Sequence, residues 1–178
     1  MNDTATTPSA SDHPLGRLGA VVREGGEVLL RFERHYDAPA TDVWSAVTDP
    51  DRLARWLGRW TGDPASGQVL FTMTEEGAAP DTVTIDRCEP PSRLDVTMTT
   101  GDGPWPLSVQ LSEDAGRTRL LFTHRLAEPY DASSIGPGWH YYLDRLDAVL
   151  RGSPVPADFT AYHPRLADAY PVPPHGNL

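Results

Sequence analysis

Apolar and polar positions alternate along most of the chain. Between Val28 and Tyr36, the residues Val28, Leu30, Phe32, Arg34 and Tyr36 share one face, a period of two that predicts a strand. Asp37-Ala38-Pro39 ends it, and Pro39 suits the first turn of a helix carrying Val43, Trp44 and Val47. Asp49 as a cap, with Pro50 behind it, opens a second short helix predicted to carry Leu53, Trp56, Leu57 and Trp60 on one side. From Gly67 the period of two returns. Val69, Phe71 and Met73 form one run, Val83 and Ile85 the next, then Leu94, Val96 and Met98. Leu107, Val109 and Leu111 follow, then Leu120, Phe122, His124 and Leu126. Short turns rich in Gly, Pro, Asp and Ser separate these runs, so they form an antiparallel meander with one apolar face.

The cover for that face lies near the end of the body. Trp139, Tyr142, Leu143, Leu146, Val149 and Leu150 recur at helical spacing, and Asp144, Arg145, Asp147 and Arg151 fall mostly between them. This predicts a long amphipathic helix, stopped by Gly152, whose apolar stripe packs on the sheet. The flanks read differently. Residues 1–26 form a loose N-terminal arm, 27–152 the folded body, and 153–178 a Pro-rich strap. Phe159, Tyr162 and Tyr170 are spaced regularly enough that the strap is expected to dock on the body or on a second subunit, which would make a homodimer.

Composition narrows the chemistry. All basic residues are Arg, so Schiff-base chemistry on Lys and a Lys-bearing phosphate loop are excluded. The formal charge of −10 should repel phosphate backbones, and no nucleic-acid partner is expected. No apolar run is long enough for a membrane span, and Met1 to Asp12 lacks the features of a secretory signal, so a cytoplasmic location is expected. The single cysteine, Cys88, follows Asp86 on what alternation makes the outer face, with nothing basic in register; it is expected to be inert. The histidines show no i, i+4 pair and no thiolate neighbour, so no metal is expected. Gly101 and Gly103 sit in a hairpin turn followed by Pro106, not at the start of a helix, and no cofactor is expected either.

The order of elements resembles the helix-grip fold of the START-like (SRPBCC) superfamily. Phe32-Glu-Arg-His-Tyr-Asp-Ala-Pro39, Val43-Trp44, Thr48-Asp-Pro50, Leu53 and Trp56 resemble the opening signature of the branch named for the activator of Hsp90 ATPase homologue 1. Glu89-Pro-Pro91, Thr118 to His124 and Gly138-Trp139 with Leu143, Leu146 and Leu150 follow in the same order. Where that family usually has paired glycines, this chain has Ser66-Gly67. The resemblance implies an α+β helix-grip fold: a curved antiparallel sheet of about six to seven strands gripping a long C-terminal helix, with two short helices after strand 1. The co-chaperones that name the branch carry a further N-terminal domain for which this chain has no room, so the name says little about activity.

Two residues interrupt the apolar face. Arg34 and His124 are in register with Phe32 and Phe122, and both point toward the covered side. In this superfamily the first and last strands are neighbours, which implies that the two side chains lie close together. Burying an Arg costs several kcal/mol unless it is paired. Either Arg34 bonds carbonyls or an acidic side chain and fixes the sheet to the helix, or Arg34 and His124 are polar anchors in an apolar cavity. In the second case His124 is also the candidate general acid or base.

Trp60 and Trp105 are expected at a cavity rim or a partner surface. The leading expectation is binding of an apolar or aromatic small molecule. Its contacts would be Phe32, Arg34, Phe71, Met73, Met98, Phe122, His124, Trp139 and Tyr142. The alternatives are a polyketide cyclase or dehydratase using His124, and a chaperone-cofactor or regulatory interaction module.

Overall fold

A computed structural model describes residues 18–75, 77–127 and 131–171 of the chain. Its strands are β1 (Ala20–Glu24), β2 (Glu27–Tyr36), β3 (Gly58–Thr61), β4 (Gln68–Met73), β5 (Asp81–Glu89), β6 (Arg93–Thr100), β7 (Gly103–Asp114) and β8 (Arg117–Leu126). The α-helices are α1 (Ala40–Thr48), α2 (Pro50–Leu53) and α3 (Ala132–Arg151).

The strands form one antiparallel sheet in the order β1-β2-β8-β7-β6-β5-β4-β3. From β3 to β8 the sheet is a meander, and the β2–β8 pairing brings the two ends of the body together. Leu30, Phe32, Val83, Met98, Leu120 and Phe122 face inward as the alternation requires, and Trp139, Leu143 and Leu146 of α3 close over them. This is the α+β architecture expected, with a long helix held against a curved sheet.

Local chemistry sets the helix ends. Asp49 caps α2 by accepting from the N–H groups of Asp51 and Arg52 at 3.0 Å each, with Pro50 in the first turn. Pro39 cannot cap α1 with a side-chain oxygen; instead Glu113 Oε2 of β7 accepts from Ala40 N at 2.7 Å. Asp131 caps α3 through Ser133 N, and Gly152 ends it with φ 66. The bonds from Gly152 N to Val149 O and from Ser153 N to Ala148 O complete a Schellman closure.

The structure corrects the sequence reading at two elements. The second helix stops at Leu53, and Trp60, expected on that helix, lies in β3, which pairs with β4. Gly58 permits this pairing: a Cβ there would overlap Thr72 O and the Phe71 ring. The arm expected over 1–26 contains an edge strand, β1, joined to β2 by Gly25 and Gly26. Both have positive φ, as a two-residue type I′ hairpin needs. Residues 1–17 of that arm and 172–178 of the strap lie outside the described residues.

The described part of the strap packs along α3 on the flank that faces β1 and β2. Tyr162, Leu166 and Tyr170 are buried, whereas Phe159 is exposed and stacks on His163. Gly136 leaves the notch in α3 that receives the Tyr170 ring, and Tyr170 Oη accepts from Gly19 N at 3.3 Å.

Candidate functional site

A cavity of about 230 Å³ lies between the sheet and α3. Phe71, Val83, Met98, Leu107 and Phe122 form its floor, and Trp139, Leu143 and Leu146 its ceiling. Val47, Leu53, Trp56 and Trp60 make the wall beside α1 and α2. It reaches the surface beside Pro64 and Cys88, both exposed, with Leu94 and Val96 half-buried behind them. Among the described residues no carboxylate, imidazole or guanidinium lines it.

Each lining tryptophan has already committed its N–H to the protein. Trp56 Nε1 donates to Ala46 O at 2.9 Å and Trp60 Nε1 to Thr48 O at 2.8 Å. Trp139 Nε1 donates to Nδ1 of His124 at 3.1 Å. The Thr48 hydroxyl, also in the lining, donates to Trp44 O at 2.8 Å. What these side chains offer the cavity is therefore mainly carbon and π surface.

Of the nine side chains expected around a ligand, Phe71, Met98, Phe122 and Trp139 line this cavity. Phe32, Arg34, Met73, His124 and Tyr142 are outside its lining. Phe32 packs instead against Phe122, His140 and Tyr170. Met73 is half-buried against the core, and the Tyr142 hydroxyl meets the Glu75 carboxylate.

Arg34 and His124 are not neighbours. Although β2 and β8 pair, Arg34 stands opposite Leu120 and His124 opposite Leu30, four residues apart along β2. At about 3.3 Å per residue this separates them by roughly 13 Å. Alternation assigns a residue to a face; only the pairing register assigns its position along that face.

His124 sits on the inner face of β8, two residues beyond Phe122 and outside the cavity lining, 2% exposed, with Trp105 against its ring at 4.8 Å and the edge of Trp139 at 6.1 Å. Burial pushes its pKa down to about 4. An indole nitrogen can only donate, so Nδ1 of His124 carries the lone pair and Nε2 the proton. Trp105, expected at a rim, is instead half-buried on His124 and outside the cavity lining.

Arg34 belongs to a second buried cluster, on the other side of α3's apolar stripe. Its Nη2 reaches Asp144 Oδ1 and its Nε reaches Asp147 Oδ2, each at 3.2 Å. The Tyr36 hydroxyl donates to Asp147 at 2.6 Å, and the Tyr162 hydroxyl to Asp144 at 3.0 Å. His140, fully buried, lies 3.5 Å from Asp144 Oδ2 through Nε2 and 2.6 Å from the Tyr170 hydroxyl through Nδ1. Burial raises the Asp144 pKa to about 6 despite the opposing charge of Arg34. Burial and Asp147 together push the Tyr36 hydroxyl well above its ordinary value. None of these side chains lines the cavity. The cluster joins β2, α3 and the strap.

Cys88 requires a correction of face. A bulge between Ile85 and Arg87 inserts one residue into β5, so that Cys88 pairs with Leu94 and shares the inner face with it. The thiol thus stands at the cavity mouth, where unbroken alternation would place it outside. Trp56, Leu94 and Val96 also reach the cavity; their apolar periodicity marked them as inward-facing, but nothing in it separated lining from filled core.

The family model for Activator of Hsp90 ATPase homolog 1-like proteins matches residues 37–151. No curated protein matches the chain. Among solved structures it is similar to CalU16 from Micromonospora echinospora, with 28% identity, TM-score 0.68, and 85% of this chain and 92% of that one covered. The protein encoded by gene BPP1335 of Bordetella parapertussis shares 25% identity, with TM-score 0.65 and 88% and 92% coverage. An AHSA1-like protein from Aeromonas hydrophila, at 24% identity, TM-score 0.58 and 70% and 92% coverage, shares the fold. With the model spanning more than half of the chain and the same helix-grip architecture in these structures, the chain belongs to the Activator of Hsp90 ATPase homolog 1-like family.

Proposed function

We propose that this protein binds a hydrophobic or aromatic small molecule in the cavity between the sheet and α3. The observation that carries this reading is a space of about 230 Å³ between the sheet and α3, lined almost wholly by carbon. Water fills such a space poorly, because an ordered water needs about two to four polar partners, and the lining tryptophans have spent their only polar group and Thr48 its donor. An apolar cavity of about 150 Å³ accepts a benzene ring, and this larger one has room for about two fused rings.

Binding is favoured over catalysis of the cyclase type. A proton-transfer catalyst has to come within hydrogen-bond reach of its substrate. His124, the residue that sequence reasoning offered for that role, stands behind Trp139 with Nδ1 occupied.

The test is native mass spectrometry of protein purified from its own host, together with a thermal-shift screen of apolar compounds. A retained small molecule, or a rise in melting temperature that Val96→Trp abolishes by filling the cavity, supports the reading. A ligand-free protein that no apolar compound stabilises would overturn it.

A further inference from the structure

Given that the cavity binds an apolar ligand, the next question is what it refuses. Three tryptophans line it, Trp56, Trp60 and Trp139, and an indole N–H left without a partner on any of them would be the nearest donor for a polar ligand. Backbone carbonyls silence two of them, Ala46 O for Trp56 and Thr48 O for Trp60. The third, on Trp139, has no carbonyl partner; a side chain, His124, takes it at 3.1 Å.

We propose that His124 is a positioning residue that sets ligand specificity: by accepting the Trp139 N–H it leaves no tryptophan of the cavity lining with a free indole donor, the buried and unpartnered Nε1 of Trp105 lying outside that lining, and so restricts the buried part of the ligand to uncharged groups that need no hydrogen bond. His124 does not touch the ligand and acts through Trp139. A hydroxyl or carboxylate carried into the interior would lose its water and find no free indole donor in return. Such a group is accepted only at the mouth, beside Pro64 and Cys88, where solvent remains available.

This inference rests on the binding reading, and its test keeps the two apart. Equilibrium dialysis of the full chain at pH 7 compares naphthalene, 2-naphthol and 2,6-dihydroxynaphthalene. The first two fit with any hydroxyl turned to the mouth; the third must bury one. In the wild type the diol is expected to bind about tenfold more weakly than 2-naphthol, the effect of one unpaired buried hydroxyl.

His124→Leu frees the Trp139 N–H and should shrink that gap to about threefold or less. His124→Asn places a side-chain oxygen near the position of Nδ1 and should keep it. A merely structural role for His124 would move stability in both variants without separating their selectivities. Trp139→Phe opens the same pair from the other side, exposing the His124 lone pair, and should also shrink the gap if His124→Leu fails to fold. The inference is overturned if the diol binds the wild type as well as 2-naphthol does, or if His124→Leu and Trp139→Phe keep the full gap. Failure of naphthalene and 2-naphthol to bind at all would overturn the binding reading itself.

Discussion

Arg34 on β2 and Asp144 on α3 form an ion pair inside the protein, Nη2 to Oδ1 at 3.2 Å, with side chains 4% and 12% exposed. Asp147 shares the same guanidinium at 3.2 Å. One cation thus joins the sheet to the helix through two carboxylates, and Tyr162 extends the joint to the strap. Arg34→Met leaves both carboxylates buried without their cation and should lower unfolding free energy by about 3–5 kcal/mol. Urea denaturation measures this. Adding Asp144→Asn and Asp147→Asn should recover part of the loss. Were Arg34 a ligand anchor instead, Arg34→Met would weaken binding and leave the denaturation midpoint near that of the wild type.

The pH dependence of stability contains two opposing contributions. Asp144 is pushed up to about 6 by burial, against the pull of Arg34 from β2 and Tyr162 from the strap, with Asp147 and His140 facing it from its own helix. Its folded form holds a proton that the unfolded chain has released, so its contribution is full below about pH 4 and is lost as pH rises through 6. His124 is pushed down to about 4 by burial. Here the unfolded chain binds the extra proton, so stability is gained as pH rises from about 4 to 6.5. In the wild type the two slopes oppose each other. Asp144→Asn should give a steeper rise in stability between pH 4 and 6.5 than the wild type. His124→Asn should shift the slope the other way. Denaturation midpoints across that range measure both, and parallel curves for all three proteins would contradict the assignment.

Two glycines of α3 should respond in opposite directions to the same substitution. A Cβ on Gly136 would overlap the Tyr170 ring, whereas one on Gly138 meets nothing within 4 Å. Gly138→Ala should gain about 0.5–1 kcal/mol from helix propensity alone. Gly136→Ala should lose about 1–3 kcal/mol through the overlap, despite the same gain in propensity. It should also speed limited proteolysis between Ser153 and Tyr170, because the displaced ring is one that holds the strap. Equal stabilisation by both variants would mean that Tyr170 does not sit in the Gly136 notch.

Much of this architecture is legible from periodicity. The inner-face residues of β2, β4, β6, β7 and β8 and the stripe of α3 follow directly from spacings of two and of three to four. What periodicity does not carry is register. Alternation turns both Arg34 and His124 inward, where both are buried, but their separation depends on Leu30, not Arg34, pairing with His124. Unbroken alternation puts Cys88 on the outer face, whereas one inserted residue in β5 reverses the parity of everything after it. Strand β3 was hidden because Leu53, Trp56, Leu57 and Trp60 fit helical spacing, while the deciding feature was the missing side chain of Gly58. Similarly, the cavity is a matter of which apolar side chains fail to meet, and spacing cannot report that.

The β7–β8 hairpin turns through Ala115 and Gly116, at φ 49 and 77. Two consecutive left-handed residues make the tight turn that matches the twist of the flanking strands. Glycine adopts that conformation freely, and Asn tolerates it, but for Ala the contact of Cβ with the following carbonyl costs about 1–2 kcal/mol. Ala115 is exposed and outside the cavity lining, so its replacement tests the turn alone. Ala115→Asn should raise unfolding free energy by about 0.5–1 kcal/mol, and Ala115→Val should lower it, because a β-branched side chain fits the left-handed region worst. Ligand affinity should be unchanged in both. If Ala115→Asn destabilised the protein, the strain assigned to this turn would be absent.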